Sequence, residues 1–279
     1  MQSIASIGDQ MLAIFVMVDD FLKARPHLLS WRRSPNAKPA FTDAEVITIG
    51  LLQGCLGTAT LKRAYQTVST DFRAAFPRLP TYAQWIARLH ALAPIIGSLI
   101  QHALPALALQ DELYLLDSKP IPVCKPIRHG RVRLLRDQGA YFGKGTQGWH
   151  FGFKLHTITH RSGVILCAFL TPANWPDKDL AAALAQAVNG GILIADRAYQ
   201  DDELEQWLRE EADLILLTPK NCGEAHRPLV SSLRERIETT FSQLCDRFVD
   251  RVRSRSFYGL WNTVKLKMLH LNLCNAGLL

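Results

Sequence analysis

The chain has 279 residues, 48% of them hydrophobic and 20% charged, with a formal net charge of +7 at pH 7. That length and apolar share can build one large or two ordinary globular domains, and they exclude a disordered chain. Six cysteines without a Cys-x-x-Cys pair argue against a zinc module, and buried reduced thiols in a cytoplasm are their simplest account.

No secretory leader is read at the N-terminus, and the apolar run from Met11 to Val18 ends at Asp19-Asp20, too short to cross a bilayer. Up to about residue 110 the pattern is helical. It is cut into short helices at Pro26, Ser34-Pro35, Gly57, Pro77 to Pro80, Pro94 and Pro105. Thr42-Asp43-Ala44-Glu45 opens one helix with a capping box, and Val46, Ile49, Leu52 and Leu56 follow at helical spacing. After Gly57-Thr58-Ala59-Thr60 a second helix runs from Leu61 to Val68 and carries Lys62, Arg63 and Tyr65. So short a turn is compatible with helix-turn-helix DNA recognition, and equally with an ordinary helical bundle. Ala91 to Leu109 is long enough to span a membrane, but Pro94, His102 and Pro105 interrupt it. It reads as helices of a soluble bundle, so no membrane partner is expected.

Between Pro105 and Asp111 the character changes, which gives a helical domain over 1–110 and a second domain over 111–279. Leu113-Tyr114-Leu115-Leu116 reads as a buried strand that stops at Asp117. Residues 118–161 then hold nine Lys and Arg against one acid, Asp137. Lys119, Lys125, Arg128, Arg131, Arg133, Arg136, Lys144 and Lys154 belong to this excess, which suits a polyanion such as a phosphodiester backbone; a solvated loop would show the same composition. Trp149 to Thr159 alternates, with Phe151, Phe153 and Leu155 on one side and His150, Lys154, His156 and His160 on the other. That predicts a half-buried strand with a basic outer face whose histidines meet phosphate or solvent. Four residues of strand span roughly 13 Å, so His156 and His160 cannot share a metal ion without a bulge.

Val164 to Leu170 makes a third strand, and Asp177 opens an alanine-rich helix to Val188, where it reads most cheaply as that helix's cap. Ile192 to Ala195 is a strand that stops at Asp196. A helix from Asp201 to about Glu211, the strand Leu214 to Leu217, and two helices over roughly 229–252 and 259–275 complete the chain. The order is that of a ribonuclease-H-like α/β fold, a mixed five-stranded sheet with flanking helices in which the first and fourth strands are neighbours. A doubly wound parallel sheet would need a crossover helix in the Gly130 to Gly148 stretch, which is a poor helix.

With the first and fourth strands paired, Asp117 and Asp196 face each other at the sheet edge, where open α/β sheets gather ligands. Glu238 must come from a helix packed on the sheet. There Ser232 and Glu235 read as a capping box, Leu233, Ile237, Phe241, Leu244 and Phe248 as the buried stripe, and Arg234 lies four residues before the glutamate on its own face. Crowded carboxylates repel one another, and divalent cations relieve the repulsion. Two Mg2+ ions, with Mn2+ as a substitute, suit a set of oxygen ligands and serve phosphoryl transfer.

Leu115-Leu116-Asp117-Ser118-Lys119-Pro120, Gly139 to Gly143, Trp149 to His156, Asp196-Arg197-Ala198-Tyr199, and Arg234 through Glu238 to Phe241 together carry a resemblance. The chain resembles the DDE transposases of bacterial insertion sequences, most closely those of insertion-sequence family 982. The resemblance implies Asp117, Asp196 and Glu238 as catalytic metal ligands, with Arg234 supporting the glutamate or nearby DNA. It further implies double-stranded DNA as partner, both element ends and target, with Arg197 and Arg236 joining the basic stretch as contacts. A homodimer or larger working complex and a cytoplasmic, nucleoid-associated location follow. Related transposases often carry Tyr three residues before that arginine and Lys seven after the glutamate; here Ser231 and Cys245 stand there. Arg236, Arg247, Arg251, Arg253, Lys119 or Lys154 could take over the grip on DNA. A nuclease of the same fold that cuts without joining and a binding-only descendant are the alternatives. Tyr199 or Tyr258 as a recombinase nucleophile lacks the surrounding Arg and His set.

Overall fold

A computed structural model describes residues 6–30, 39–103, 111–128, 130–131, 133–145 and 148–279. The breaks expected at Ser34-Pro35 and Pro105, and most of the expected domain boundary, lie outside these residues. The chain divides into two compact units, Met1–His102 with Tyr258–Leu279, and Ala103–Phe257.

The first unit is helical: Ile7–Ala24 (α1), Asp43–Cys55 (α2), Leu61–Asp71 (α3), Tyr82–Ala91 (α4) and Ala93–Ala103 (α5). The capping box at Thr42 forms, Glu45 N donating to Thr42 Oγ1 at 3.1 Å and Thr42 N to the Glu45 carboxylate at 2.5 Å. Pro94 is the second residue of α5, a position where its missing N–H breaks no helical bond, so the chain turns at Leu92 instead. No single helix among the described residues is long and apolar enough to cross a membrane; only Tyr82–Ala91 with Ala93–Gln101, bent by 52°, passes as a pair.

The boundary expected near residue 110 would leave the chain's last helix, Phe257–Asn275, with the sheet, yet all of it but Phe257 groups with the helical unit. This helix is buried on every side from Asn262 to Thr263 and Val264 and on through Leu266 to Leu273. A helix without a polar stripe has no face to offer solvent and belongs at a centre. Its polar side chains find partners there: Asn262 Nδ2 donates to Leu89 O at 3.2 Å and Lys265 Nζ to Ala93 O at 2.8 Å.

The second unit is built on a six-stranded mixed sheet. Its strands are Leu113–Cys124 (β1), Tyr141–Gly145 (β2), Gly148–His160 (β3), Ile165–Pro172 (β4), Gly191–Ala195 (β5) and Leu214–Leu217 (β6). β3 pairs antiparallel with β1, β2 and β4, while β5 runs parallel between β1 and β6. The strand not foreseen is β2. It takes the edge of β3 over residues 148–152, and β4 takes the same edge over 153–159. Because β3 is thus flanked on both edges and packed on both faces, it is buried from His150 onward except at Lys154. The expected basic outer face is therefore absent. His150, His156 and His160 are 8%, 0% and 4% exposed, and they face the interior instead of phosphate or solvent.

Two helices, Ala181–Ala185 (α6) and Asp202–Glu211 (α7), cover one sheet face, where Tyr114, Leu116, Ile158, Leu193 and Ala195 pack against Leu184 and Leu208. The long helix Gly223–Asp246 (α8) lies against β1 and β5 and contributes nothing to that cluster, so it takes the opposite face, toward which Leu115 and Asp117 alternate. α8 begins six residues before the expected start at 229, so Ser232 and Glu235 sit inside the helix and do not cap it. Its buried side runs through Val230, Ile237, Thr240, Phe241 and Leu244.

Candidate active site

The pairing of β1 with β5 ends at Leu116 opposite Ala195, which leaves Asp117 and Asp196 next in line on adjacent parallel strands. Asp117 is not at the end of its strand: β1 continues to Cys124, held by β3 alone. Its carboxylate accepts from Ser118 N at 2.7 Å and is pushed up to about pKa 7. Burial is the main cause, and the charges of Asp196 and Asp177 add to it, while the Ser118 amide and Arg234 oppose it. Asp196 ends β5 and caps the turn that follows, its Oδ1 accepting from Ala198 N at 2.8 Å.

That turn places Tyr199 beneath the acids. The phenol is 1% exposed, its proton affinity is raised by burial and by the charges of Asp177, Asp117 and Asp196, and its hydroxyl makes no well-formed hydrogen bond. Asp177 is the group the sequence misplaces. It makes no cap bond to the helical turn Lys178–Leu180 that it precedes. Its Oδ1 instead takes the Lys154 ammonium at 2.6 Å and stands 3.7 Å from His156 Nδ1. Burial lowers the proton affinity of His156, the Asp177 charge opposes that shift, and the neighbouring Lys154 adds to it. Its other nitrogen meets Thr171 Oγ1 at 2.8 Å.

Facing the sheet, α8 presents Arg227, Ser231 and Arg234 to a cleft of about 360 Å3 completed by Asp196, Arg197 and Pro219. Steps of four and three residues keep these side chains on one stripe of a helix with 3.6 residues per turn. Glu238, four residues beyond Arg234, continues the same stripe roughly 6 Å further along the axis. It is exposed, and among the described residues no three His, Cys, Asp or Glu side chains are arranged to hold a metal ion. The structure thus sets Asp196 and Arg234 in one cleft with Asp117 on the adjoining strand, and leaves Glu238 on the cleft-facing stripe outside it; Asp177 acts on Asp117 through its charge. Arg227 escaped the sequence reading; its spacing of seven residues from Arg234 was the available signal.

The remaining basic residues divide. Lys125, Arg128, Arg131, Arg133, Arg136, Lys144, Arg197 and Arg236 are exposed. Arg136 lies over the Phe151 ring at 5.7 Å, and Lys144 stands opposite Trp149 in the β2–β3 register. Lys154 is drawn inward by Asp177. Lys119 is half-buried beside the thiol of Cys245 on α8, the position at which the resemblance led to the expectation of a lysine.

A sheet edge with adjoining half-buried aspartates is walled by an arginine-bearing helix. A family model described as Transposase DDE domain matches residues 108–256, more than half of the chain. The chain belongs to the DDE transposase family, a family of DNA-processing enzymes that act on DNA in transposition. No curated protein and no solved structure matches it.

Proposed function

We propose that the chain cuts DNA at the ends of an insertion sequence and joins the exposed 3′ hydroxyl to target DNA, on a ribonuclease-H-like catalytic fold and with closest kinship to insertion-sequence family 982. One observation carries this reading: Asp117 and Asp196 emerge side by side from parallel β1 and β5, inside the segment the transposase family covers. The strand order β4-β3-β1-β5-β6 supports the fold assignment, and the quoted motifs support the kinship.

The chemistry of the donors suits a hard divalent cation: Asp117 and Asp196 offer carboxylate oxygens on adjoining strands, both half-buried, and burial raises the proton affinity of Asp117. Asp117, Asp196 and, from α8, Glu238 would hold two Mg2+ or Mn2+ ions. Bound there, such ions supply Lewis-acid polarisation of the phosphoryl oxygens and a lowered pKa for the attacking water or hydroxyl. Arg197, Arg227 and Arg234 neutralise and orient the phosphodiester in the cleft. The exposed run from Lys125 to Arg136, with Lys144 and Arg236, tracks the duplex backbone, and Lys119 supplies a cation beside Cys245. Lys62 and Arg63, both exposed on α3, give the α2–α3 pair side chains for reading element ends. Bringing two ends together requires at least a dimer in the working complex, and DNA as substrate fits a cytoplasmic, nucleoid-associated protein.

The test is a strand-transfer assay with labelled element ends, a target plasmid and Mg2+. Joined product is expected. Cleavage without joining would make the chain a nuclease, and DNA binding with neither product would make it a binding protein.

A further inference from the structure

β2 and the start of β3 extend past the rest of the sheet as a two-stranded ribbon, because Gly148, Trp149 and His150 pair with β2 alone and β1 joins β3 only from Phe151 onward. A ribbon of two strands is marginal in water unless one of its faces packs. Phe142 and Phe151, directly opposed with ring centroids 5.8 Å apart, supply that packing, and Phe151 is 4% exposed. Trp149 adds an edge contact to Phe142 at 6.1 Å and stays 60% exposed. Most of the indole is therefore not used by the fold. Cations surround it. Lys144 stands opposite Trp149 across the ribbon, Arg136 lies over the Phe151 ring at 5.7 Å, and Arg128 acts by charge with Arg136 on Cys124, the β1 partner of Phe151. All three basic side chains are exposed.

Opposed residues of an antiparallel pair share a face of the sheet, and alternate residues of one strand return to it. Thr157 opposes Asp117, so Phe151 and Trp149, six and eight residues before Thr157, lie on the Asp117 face, with Trp149 roughly 27 Å along it. That is about eight steps of duplex DNA, so one polyanion can touch both the acids and the ribbon. Base pairs hide their faces inside the stack; only an unpaired base can lie flat on an exposed indole. We propose that the ribbon is a stacking platform for single-stranded DNA, with Trp149 under a base and Arg136 and Lys144 on the flanking phosphates. This rests on the reading that DNA is the substrate and adds to it a preference for unpaired bases at a place away from the acids.

The experiment is binding of the full chain to a labelled oligothymidylate strand and to a blunt duplex, each followed by fluorescence anisotropy. Trp149→Ala should weaken binding of the strand about tenfold and leave the duplex within about a factor of two, Trp149→Phe should restore most of the loss, and Lys144→Ala should weaken both about threefold. Equal losses on strand and duplex overturn the proposal, as does unchanged strand affinity; an altered oligomeric state with strand affinity kept would make the indole a contact between copies instead. Should Trp149→Ala fail to fold, Trp149→Leu decides, since it keeps an apolar side chain beside Phe142 without a π face: a selective loss on the strand supports the platform, and wild-type strand affinity ends it. Wild type that binds the duplex and not the strand defeats the platform alone, whereas binding of neither defeats the reading of DNA as substrate.

Discussion

The sheet of the second unit gathers acids at both ends, and only one end has the makings of a reaction site. At the end away from Asp117, Glu112, Glu210, Glu211 and Asp213 line a cavity of about 530 Å3, larger than the arginine-lined cleft and richer in carboxylates. All four of these side chains are exposed, so water stabilises each charge separately. The backbone explains the shape of that end. Gly191 N donates to Asp213 O at 3.1 Å and Ile192 N to Glu112 O at 2.8 Å, and a Cβ on Gly191 would meet Glu112 O at 2.3 Å. It is a seam where chain segments approach closely. At the other end fewer acids are half-buried and face cations from a separate helix. Desolvation and convergence, more than the number of charges, separate a reactive site from a solvated rim.

The comparison breaks most visibly in activity. Asp117→Asn or Asp196→Asn should cut end cleavage on the order of a thousandfold with DNA binding nearly unchanged, while Asp213→Asn should leave cleavage within a factor of two or so. Equal losses at the two ends, measured as initial cleavage rates, would erase the distinction.

Stability against pH sharpens it. An unfolded Asp117 titrates near the ordinary carboxylate value of 3.8, whereas burial pushes the folded one up to about 7. Between those values the folded state binds more protons, so this carboxylate makes the protein less stable as pH rises through the window, and the penalty is complete above it. In chelator, Asp117→Asn should therefore gain little at pH 4 and roughly 2 to 4 kcal/mol at pH 8 in denaturant unfolding. A gain of the same size at both pH values would mean that burial of the charge is not the cause. Mg2+ should shrink the pH 8 difference, since wild type alone would hold the ion well.

The smallest effect belongs to the cleft wall. Arg227→Ala should weaken DNA binding several-fold and lower the salt slope of log K by about one, the signature of one lost phosphate contact. An unchanged slope would place Arg227 outside the DNA path.

Much of this was legible in the chain itself. The strands that carry Asp117 and Asp196, the Thr42 capping box and the parallel pairing of β1 with β5 follow from short apolar runs, cap chemistry and connection lengths, all of which act over few residues. The Arg227, Ser231, Arg234, Glu238 stripe was equally present in the spacing, though the earlier start of α8 hid its first member. Other features were not legible. Nothing local tells that the carboxylate of Asp177 prefers Lys154 on a strand to the amides of its own turn, or that β3 is covered on both faces and takes its histidines inward.

The sequence by itself determined most of the strands and helices, though neither β2 nor the full reach of β1 and α8, and it marked Asp117 and Asp196 after the apolar runs, because those outcomes rest on backbone preference and periodicity within a few residues. The tertiary structure alone decided that Asp117 lies mid-strand, that Asp177 pairs with Lys154 beside His156, and that the last helix joins the helical unit. Burial and charge proximity are properties of segments far apart in the chain. They come into being only when those segments pack.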